Sequence, residues 1–336
     1  MGLLGLKHLG LGPKLGKVRS DGTVLLPSLS VSAPLLISEA DVQAYHRAVK
    51  ADNTAAPLFL LAPLAAPLVP SLMLLAANPI KPLGAVNVRN TFVFHRPDLQ
   101  SGRKEDGKDL RAEAKMGGEK MLGRRMKRGV EYDTLIEVFE AGDTASPGQK
   151  RPIFSFTFTT LSLVRLPSSA PLYAGAVASA SMEPAWYDDP TPLSLPTSST
   201  PLGWASLSKD YNPIHVSPFL ARLFGFKRNI AHGNLIVGIV MDRATSVPRA
   251  DKGNRARAAL GRLWSSDQMK PSWLVVEFKR PVFVPSSPKV RWSEGGVQVF
   301  EEAGLGRGKK APGQAESEIR VLVDIRAGEG VNVPAV

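Results

Sequence analysis

The sequence predicts an α+β protein built from one arrangement used twice: a loop, a helix, then a set of antiparallel strands. Three observations predict it. Strand-like runs with period-two alternation cluster in two groups, each group follows a helical segment, and a Pro- and Ser-rich stretch separates the two sets. A length of 336 residues fits about two domains at roughly 100–200 residues each.

In the first half, Ile37–Val49 has helical periodicity, with Ser38 as N-cap and Glu39 and Asp41 in the first turn, where acids favour the helix dipole. Ala55–Ala77 is the most apolar run and is long enough to span a membrane. Pro57, Pro63, Pro67 and Pro70 each remove a backbone donor, so the expectation is a Pro-rich buried loop followed by a short helix near Leu68–Ala77, not a membrane span. Strands are expected at Gly84–His95, Val130–Glu140 and Ile153–Val164, the last alternating through Phe154, Phe156 and Phe158. Residues 166–202 show no periodicity and form the linker region.

In the second half, Ser217-Pro218 opens a short helix, with Ser as N-cap and Pro at the first helical position. Leu235–Met241 is apolar all round, as befits a fully buried helix. Strands follow at Trp273–Lys279, Val282–Pro285, Val290–Trp292, Val297–Glu302 and Glu318–Arg326. No residue-level repeat relates the halves; the duplication rests on element order. The resulting division is a basic tail at 1–20, an N-terminal domain at 21–165, a linker at 166–198 and a C-terminal domain at 199–330.

Composition narrows the function classes. With 43% hydrophobic and 21% charged residues the chain is ordinary globular material, and zero cysteines exclude disulfides, thiolate metal sites and a thiol nucleophile. The net charge of +12 sits in three segments: 1–20, 101–130 and 249–262. All three are expected as solvated loops or tails. They contain no aromatic interleaving and no zinc-finger or RNA-recognition pattern, which argues against nucleic acid. No compact apolar leader stands at the N-terminus. The expected location is cytoplasmic, with a mitochondrial presequence as the alternative because residues 1–20 are basic and acid-free.

Chemistry concentrates between Trp204 and Gly238. No Gly-x-Ser-x-Gly elbow or His-Glu-x-x-His is present, and His8, His46, His95, His215 and His232 show no metal-ligand spacing. Asn212-Pro213 forces a turn, since a residue before proline avoids helix. That turn can bring Asp210 and His215 together, a workable acid/base pair near neutral pH. Gly233 begins the apolar helix, whose free N–H groups can stabilise charge developing on a carbonyl oxygen. The same residues also suit an Asx-type turn capping a helix, with His215 a buried histidine and His232 fixing the loop before the helix.

The stretch as a whole resembles the signature of the MaoC-like, hydratase-2 type of dehydratase. Ser208, Asp210, Asn212-Pro213-Ile214-His215, Ala221, Gly225-Phe226 and Ile230-Ala231-His232-Gly233 match that pattern in order and spacing, and Phe278–Pro285 is similar to the family's late strand pair. Gly84–Asn90 and Arg128–Asp133 resemble the degenerate first half of two-copy members. Lys209 departs from the family's Gly, and Asn234 stands where Met is frequent.

The resemblance implies a double hotdog: two antiparallel sheets each wrapping a helix, paired as a pseudo-dimer within one chain, with one active site; a homodimer of such chains stays open. It implies a hydro-lyase that reversibly hydrates trans-2-enoyl thioesters, on CoA or an acyl carrier protein, to (R)-3-hydroxyacyl thioesters without a cofactor or metal. Asp210 and His215 would handle the protons, Asn212 would orient them, and the Gly233 N–H would hold the thioester oxygen. His232 and Ser208 would shape the substrate site. Leu58–Leu75 would line an acyl tunnel, and Arg255 and Arg257 would meet the phosphates of CoA or an acidic carrier face. A non-catalytic acyl-thioester binder and a hotdog thioesterase are the alternatives.

Overall fold

The computed structural model describes residues 15–51, 57–80, 85–97, 109–141, 150–164, 166–175, 184–195, 197, 199–246, 255–264, 270–302 and 319–333. In the N-terminal half these form β1 (Thr23–Val24), β2 (Leu29–Leu35), α1 (Glu39–Val49), a 3₁₀ turn at Leu58–Leu60, α2 (Leu61–Ala65), α3 (Leu68–Leu74), β3 (Ala85–Phe94), β4 (Leu110–Met116), β5 (Gly123–Met126), β6 (Gly129–Glu140) and β7 (Phe154–Ser162). In the C-terminal half they form β8 (Tyr187–Asp188), α4 (Thr200–Ser208), α5 (Pro213–Val216), α6 (Pro218–Leu223), α7 (Gly233–Thr245), α8 (Arg255–Leu263), β9 (Ser272–Phe278), β10 (Lys289–Ser293), β11 (Gly296–Glu302) and β12 (Ile319–Glu329).

The strands make one antiparallel sheet in the order β1-β5-β6-β7-β3-β9-β12-β11-β10-β8, with β4 also on β6 and β2 on β4. The seam between the halves is β3 against β9, running from Arg89↔Glu277 to Phe94↔Ser272. Each half-sheet covers helices on one face, and the whole is a double hotdog. The expected strands of β3, β6, β7, β9, β10, β11 and β12 are present within a few residues.

Alternation explains the inner face. Phe154 and Phe156 of β7 are buried beside Phe92 of β3, with ring centroids 6.3 and 5.5 Å apart. Ser38 caps α1 as expected: its hydroxyl accepts from the Asp41 N–H at 3.2 Å, and Asp41 accepts from the Ser38 N–H at 2.9 Å, a capping box. Helix α7 is buried nearly all round through Leu235, Ile236, Val237, Val240, Met241 and Ala244.

Several expectations are corrected. The short helix expected near Leu68–Ala77 is present as α3, but the Pro-rich stretch before it is also helical: its prolines sit at breaks or first turns, where a missing N–H costs little, and Leu58, Phe59, Leu61, Leu68 and Leu72 pack into the core. Its residues pack as core, with α3 against β2 and β4. No described helix is long and apolar enough to cross a membrane. The basic segment 101–130 contains strands β4 and β5. Ala112, Ala114 and Met116 face inward while Arg111, Glu113 and Lys115 face outward, and the charges hid this alternation. The basic segment after α7 contains helix α8, with Ala256 and Leu260 on its buried side. Gly261 permits its close approach to α7, since a Cβ there would lie 2.3 Å from the Ala244 carbonyl oxygen. Val282–Pro285 is not a strand but a loop tied by a single bridge, Ile230↔Phe283. Within 166–198, Tyr187–Asp188 pairs with β10 and Leu195 bridges Ser286, so these residues join the C-terminal sheet.

Candidate active site

The site forms where α4 ends, α5 begins and α7 begins. Helix α4 closes on Lys209, whose φ of 55° is left-handed. That is the position where glycine is usual, so a side chain there carries a modest strain. The Lys209 ammonium turns back to donate to the Ser206 carbonyl at 2.6 Å, away from its neighbour Asp210. The Ser208 hydroxyl donates to the Trp204 carbonyl at 2.9 Å and accepts from the Asp210 N–H at 3.4 Å, fixing the chain's exit from the helix.

Asp210 Oδ1 accepts from the Asn212 N–H at 3.1 Å, and Asn212 Oδ1 accepts from the Ile214 N–H at 3.3 Å as the N-cap of α5. Pro213, at the first helical position, needs no hydrogen-bond partner there. The two turns aim His215 back toward Asp210. Its Nδ1–H donates to the Ile230 carbonyl at 2.9 Å, which leaves the lone pair on Nε2. Asn229 Nδ2 donates to the His215 carbonyl at 3.1 Å, and the Ala231 N–H donates to the Val282 carbonyl at 2.8 Å, so the loop before α7 is anchored on both sides.

His232 is buried, and its ring stacks on that of His215 with centroids 3.8 Å apart. Its Nε2–H donates to the Asp210 carbonyl at 3.0 Å, and Asp210 Oδ2 lies 3.7 Å from the same nitrogen. Burial lowers the pKa of His215; the Asp210 carboxylate and the Ile230 carbonyl offset part of that. Burial and then the neighbouring His215 hold His232 well below the ordinary histidine range. Both rings are therefore neutral near pH 7.

Asp210, His215 and His232 each offer one ligand atom within 4.8 Å of the others: the turn brings Asp210 and His215 together as expected, and His232 joins them, which sequence spacing did not show. His232 commits Nε2–H to the Asp210 carbonyl and His215 commits Nδ1–H to Ile230. What faces the opening is one imidazole lone pair beside a half-exposed carboxylate, an arrangement suited to moving protons.

Gly233 starts α7 with no side-chain cap, and its N–H has no acceptor among the described residues. Its lack of a side chain serves packing: a Cβ would lie 2.4 Å from Phe278 Cε1 and 2.5 Å from Cζ. The ring of Phe278, which sequence reasoning did not single out, occupies the space next to this glycine. Also unforeseen is Asn90 of β3, which donates to Asn234 Oδ1 at 2.7 Å, joining the other half-sheet to the first turn of α7. Only tertiary contacts, within the C-terminal half for Phe278 and across the seam for Asn90, could have revealed these residues.

Arg255 and Arg257 stand on α8, near the C-terminal end of α7 and so a helix length, about 20 Å, from Gly233. Arg257 donates to the Arg243 carbonyl at 2.6 Å, lies 3.6 Å from the buried Asp189 and covers the Trp292 ring. Its guanidinium fastens α8 to α7 and β10.

Fold and site together define a double-hotdog protein whose second half sets, among the described residues, one Asp/His cluster beside a free helix N-terminus. Residues 189–262, in the C-terminal half, match the model of the MaoC-like domain family. No curated protein matches the sequence. Among solved structures, HtdX of Mycobacterium tuberculosis superposes with a TM-score of 0.55 at 19% identity, covering 90% of this chain and 99% of its own. A MaoC-like dehydratase of Phytophthora capsici superposes with a TM-score of 0.53 at 14% identity, covering 91% and 97%. The likeness of fold thus spans both halves.

Proposed function

We propose that the protein reversibly hydrates trans-2-enoyl thioesters to (R)-3-hydroxyacyl thioesters. The observation that carries this reading is the convergence of Asp210 and His215 next to the unpaired N–H of Gly233. The MaoC-like domain supports the reaction class.

A water held between the Asp210 carboxylate and His215 Nε2 loses a proton to this pair as its oxygen bonds to C3. The π electrons move toward the thioester, and the Gly233 N–H at the positive end of α7 receives the developing enolate charge. His215 is neutral at rest and its Nδ1–H is committed to the Ile230 carbonyl, so its Nε2 brings no proton of its own. The proton delivered to C2 is therefore the one taken from the water, so the elements of one water add across the double bond. Asn212 keeps the geometry by fixing Asp210 and starting the turn that carries His215. His232 fixes the Asp210 backbone, and Ser208 fixes the turn before it.

Both CoA and an acyl carrier protein present this thioester. The deciding assay follows loss of the conjugated thioester's ultraviolet absorbance across enoyl-CoA lengths. Asp210→Asn and His215→Ala should each abolish hydration while keeping the wild-type melting curve. Full activity in either variant refutes the assignment. Release of free CoA from acyl-CoA would instead make the protein a thioesterase, and tight acyl-CoA binding without turnover would make it a binder.

A further inference from the structure

Three adjacent strands of the N-terminal half place a row of polar side chains on the inner face of the sheet. Asn87 of β3 lies opposite Thr160 of β7, and Thr160 lies opposite Tyr132 of β6. Cross-strand partners share a face, so all three point inward. A register shift between Asn87 and Arg89 puts Asn90 on the same face, opposite Phe158, although it is an odd number of residues from Asn87. The outer face confirms the parity: Arg89, Thr159 and Asp133 align there, and Thr159 donates to Asp133 at 2.7 Å.

Asn90, Tyr132 and Thr160 are at most 1% exposed. Asn87 Oδ1 and Asn90 Oδ1 are buried without a hydrogen-bond partner among the described residues, while the buried Tyr132 and Thr160 hydroxyls have each other within reach. Folded proteins rarely leave buried amide oxygens unmatched, and two of them beside a hydroxyl pair on one surface are not scatter. Their position is equally specific. Asn90 Nδ2 holds Asn234 in the first turn of α7, one residue from Gly233, and the row Asn87–Thr160–Tyr132 lies two residues, about 7 Å, further along β7. The polar row therefore leads away from the point where the thioester oxygen would bind.

We infer that this row is a specificity pocket for the acyl chain, and that the chain it selects carries a hydroxyl group beyond the reacting double bond. The inference rests on the proposed thioester reading for its placement. Two amide oxygens need a donor, while the Tyr132 and Thr160 hydroxyls can give or accept a hydrogen bond. A hydroxyl satisfies both kinds of group, and an unbranched alkyl chain satisfies neither. A site built around hydrogen bonds discriminates against the analogue lacking them, because its own polar groups stay unpaired. The amides of the pantetheine arm share this chemistry, so the test separates the two sources.

The test compares ω-hydroxy and plain trans-2-enoyl-CoA thioesters of matched length, from about six to ten carbons, in the wild type, Tyr132→Phe and Thr160→Val. The wild type should favour the hydroxylated substrate at one or more lengths by about tenfold in kcat/KM. Each variant should erase most of that ratio through KM, with no loss of melting temperature in the free protein. An equal fall for both substrates would assign the row to the pantetheine arm and overturn the inference. So would a wild-type ratio near one at every length, or variants that melt early, which would mark a purely structural network. Calorimetric binding of saturated ω-hydroxyacyl-CoA and acyl-CoA keeps the question open to decision if hydration itself is absent. A preference in Kd that vanishes in Tyr132→Phe upholds the pocket even where the hydratase reading fails, and equal Kd values sink it independently.

Discussion

Replacing Gly233 with alanine probes the helix end most directly. The backbone at this residue is not left-handed, so alanine meets no dihedral penalty, and the effect is one of space alone. The new Cβ would lie 2.4 and 2.5 Å from two carbons of the Phe278 ring, against an ordinary carbon–carbon contact of about 3.5–4.0 Å. Either the ring or the first turn of α7 must move by about 1 Å. A displacement of that size at a reacting centre costs about 100-fold in rate, or about 2.7 kcal/mol of barrier. Overpacking itself costs about 1–3 kcal/mol of stability. The expected result is a fall in kcat/KM for an enoyl-CoA of about 100-fold, measured by loss of the conjugated absorbance, with the chain still folded. Combining it with Phe278→Ala should return at least tenfold of that loss, because the obstacle is gone. A Gly233→Ala variant with more than half the wild-type rate would refute the argument. A double variant no faster than the single would show that the methyl blocks the N–H directly and that Phe278 is a bystander.

Three further outcomes are expected. Acidification should destabilise the protein through its buried histidines: His215 and His232 have folded pKa values below the ordinary value, so the unfolded chain binds more protons. Their contribution is complete above about pH 6.5 and is lost below it, at up to about 1.4 kcal/mol per pH unit for each ring. A melting temperature flat from pH 7.5 to 5.5, or one whose slope is unchanged in His232→Gln, would contradict this. Asp189→Asn should cost about 3 kcal/mol, read by urea unfolding. Its buried carboxylate lies 3.6 Å from both Arg243 and Arg257 and accepts from the Trp292 indole at 3.0 Å, and the amide would leave two cations unbalanced. Wild-type stability in that variant would remove Asp189 from the structural account. Residues 184–333 expressed alone should aggregate, because β9 would lose β3 and present a bare edge; a stable, monodisperse fragment by light scattering would show that the seam is dispensable.

The sequence carried the parts of this fold in which chemistry and periodicity coincide. Helix α7 was legible because nothing polar interrupts Leu235–Met241, and β7 because its phenylalanines alternate. Strand β4 was hidden because its inner residues include two small alanines set among Arg111, Glu113 and Lys115; charge was the louder signal than the alternation beneath it. The 3₁₀ turn at Leu58–Leu60 and helix α2 were hidden by prolines that mark breaks between short helices, not an extended loop, whereas α3 was legible beyond them. The turn residues of the candidate site were legible because Ser208 to Gly233 lie within one short stretch and their local hydrogen bonds follow from turn chemistry. The contacts of Gly233 with Phe278 and of Asn234 with Asn90 join positions far apart in the chain, and no local pattern encodes them.

The N-terminal half holds no Asp-x-Asn-Pro-x-His, yet the site depends on it. Its β3 completes the sheet beside β9, the strand whose Phe278 lies against Gly233. Its Tyr45 and Phe59 pack on Trp204 of α4, the helix that delivers Asp210, with ring centroids 5.9 and 6.5 Å apart. Its Asn90 reaches the first turn of α7. Each of these contacts fixes one of the two elements between which the proposed chemistry takes place.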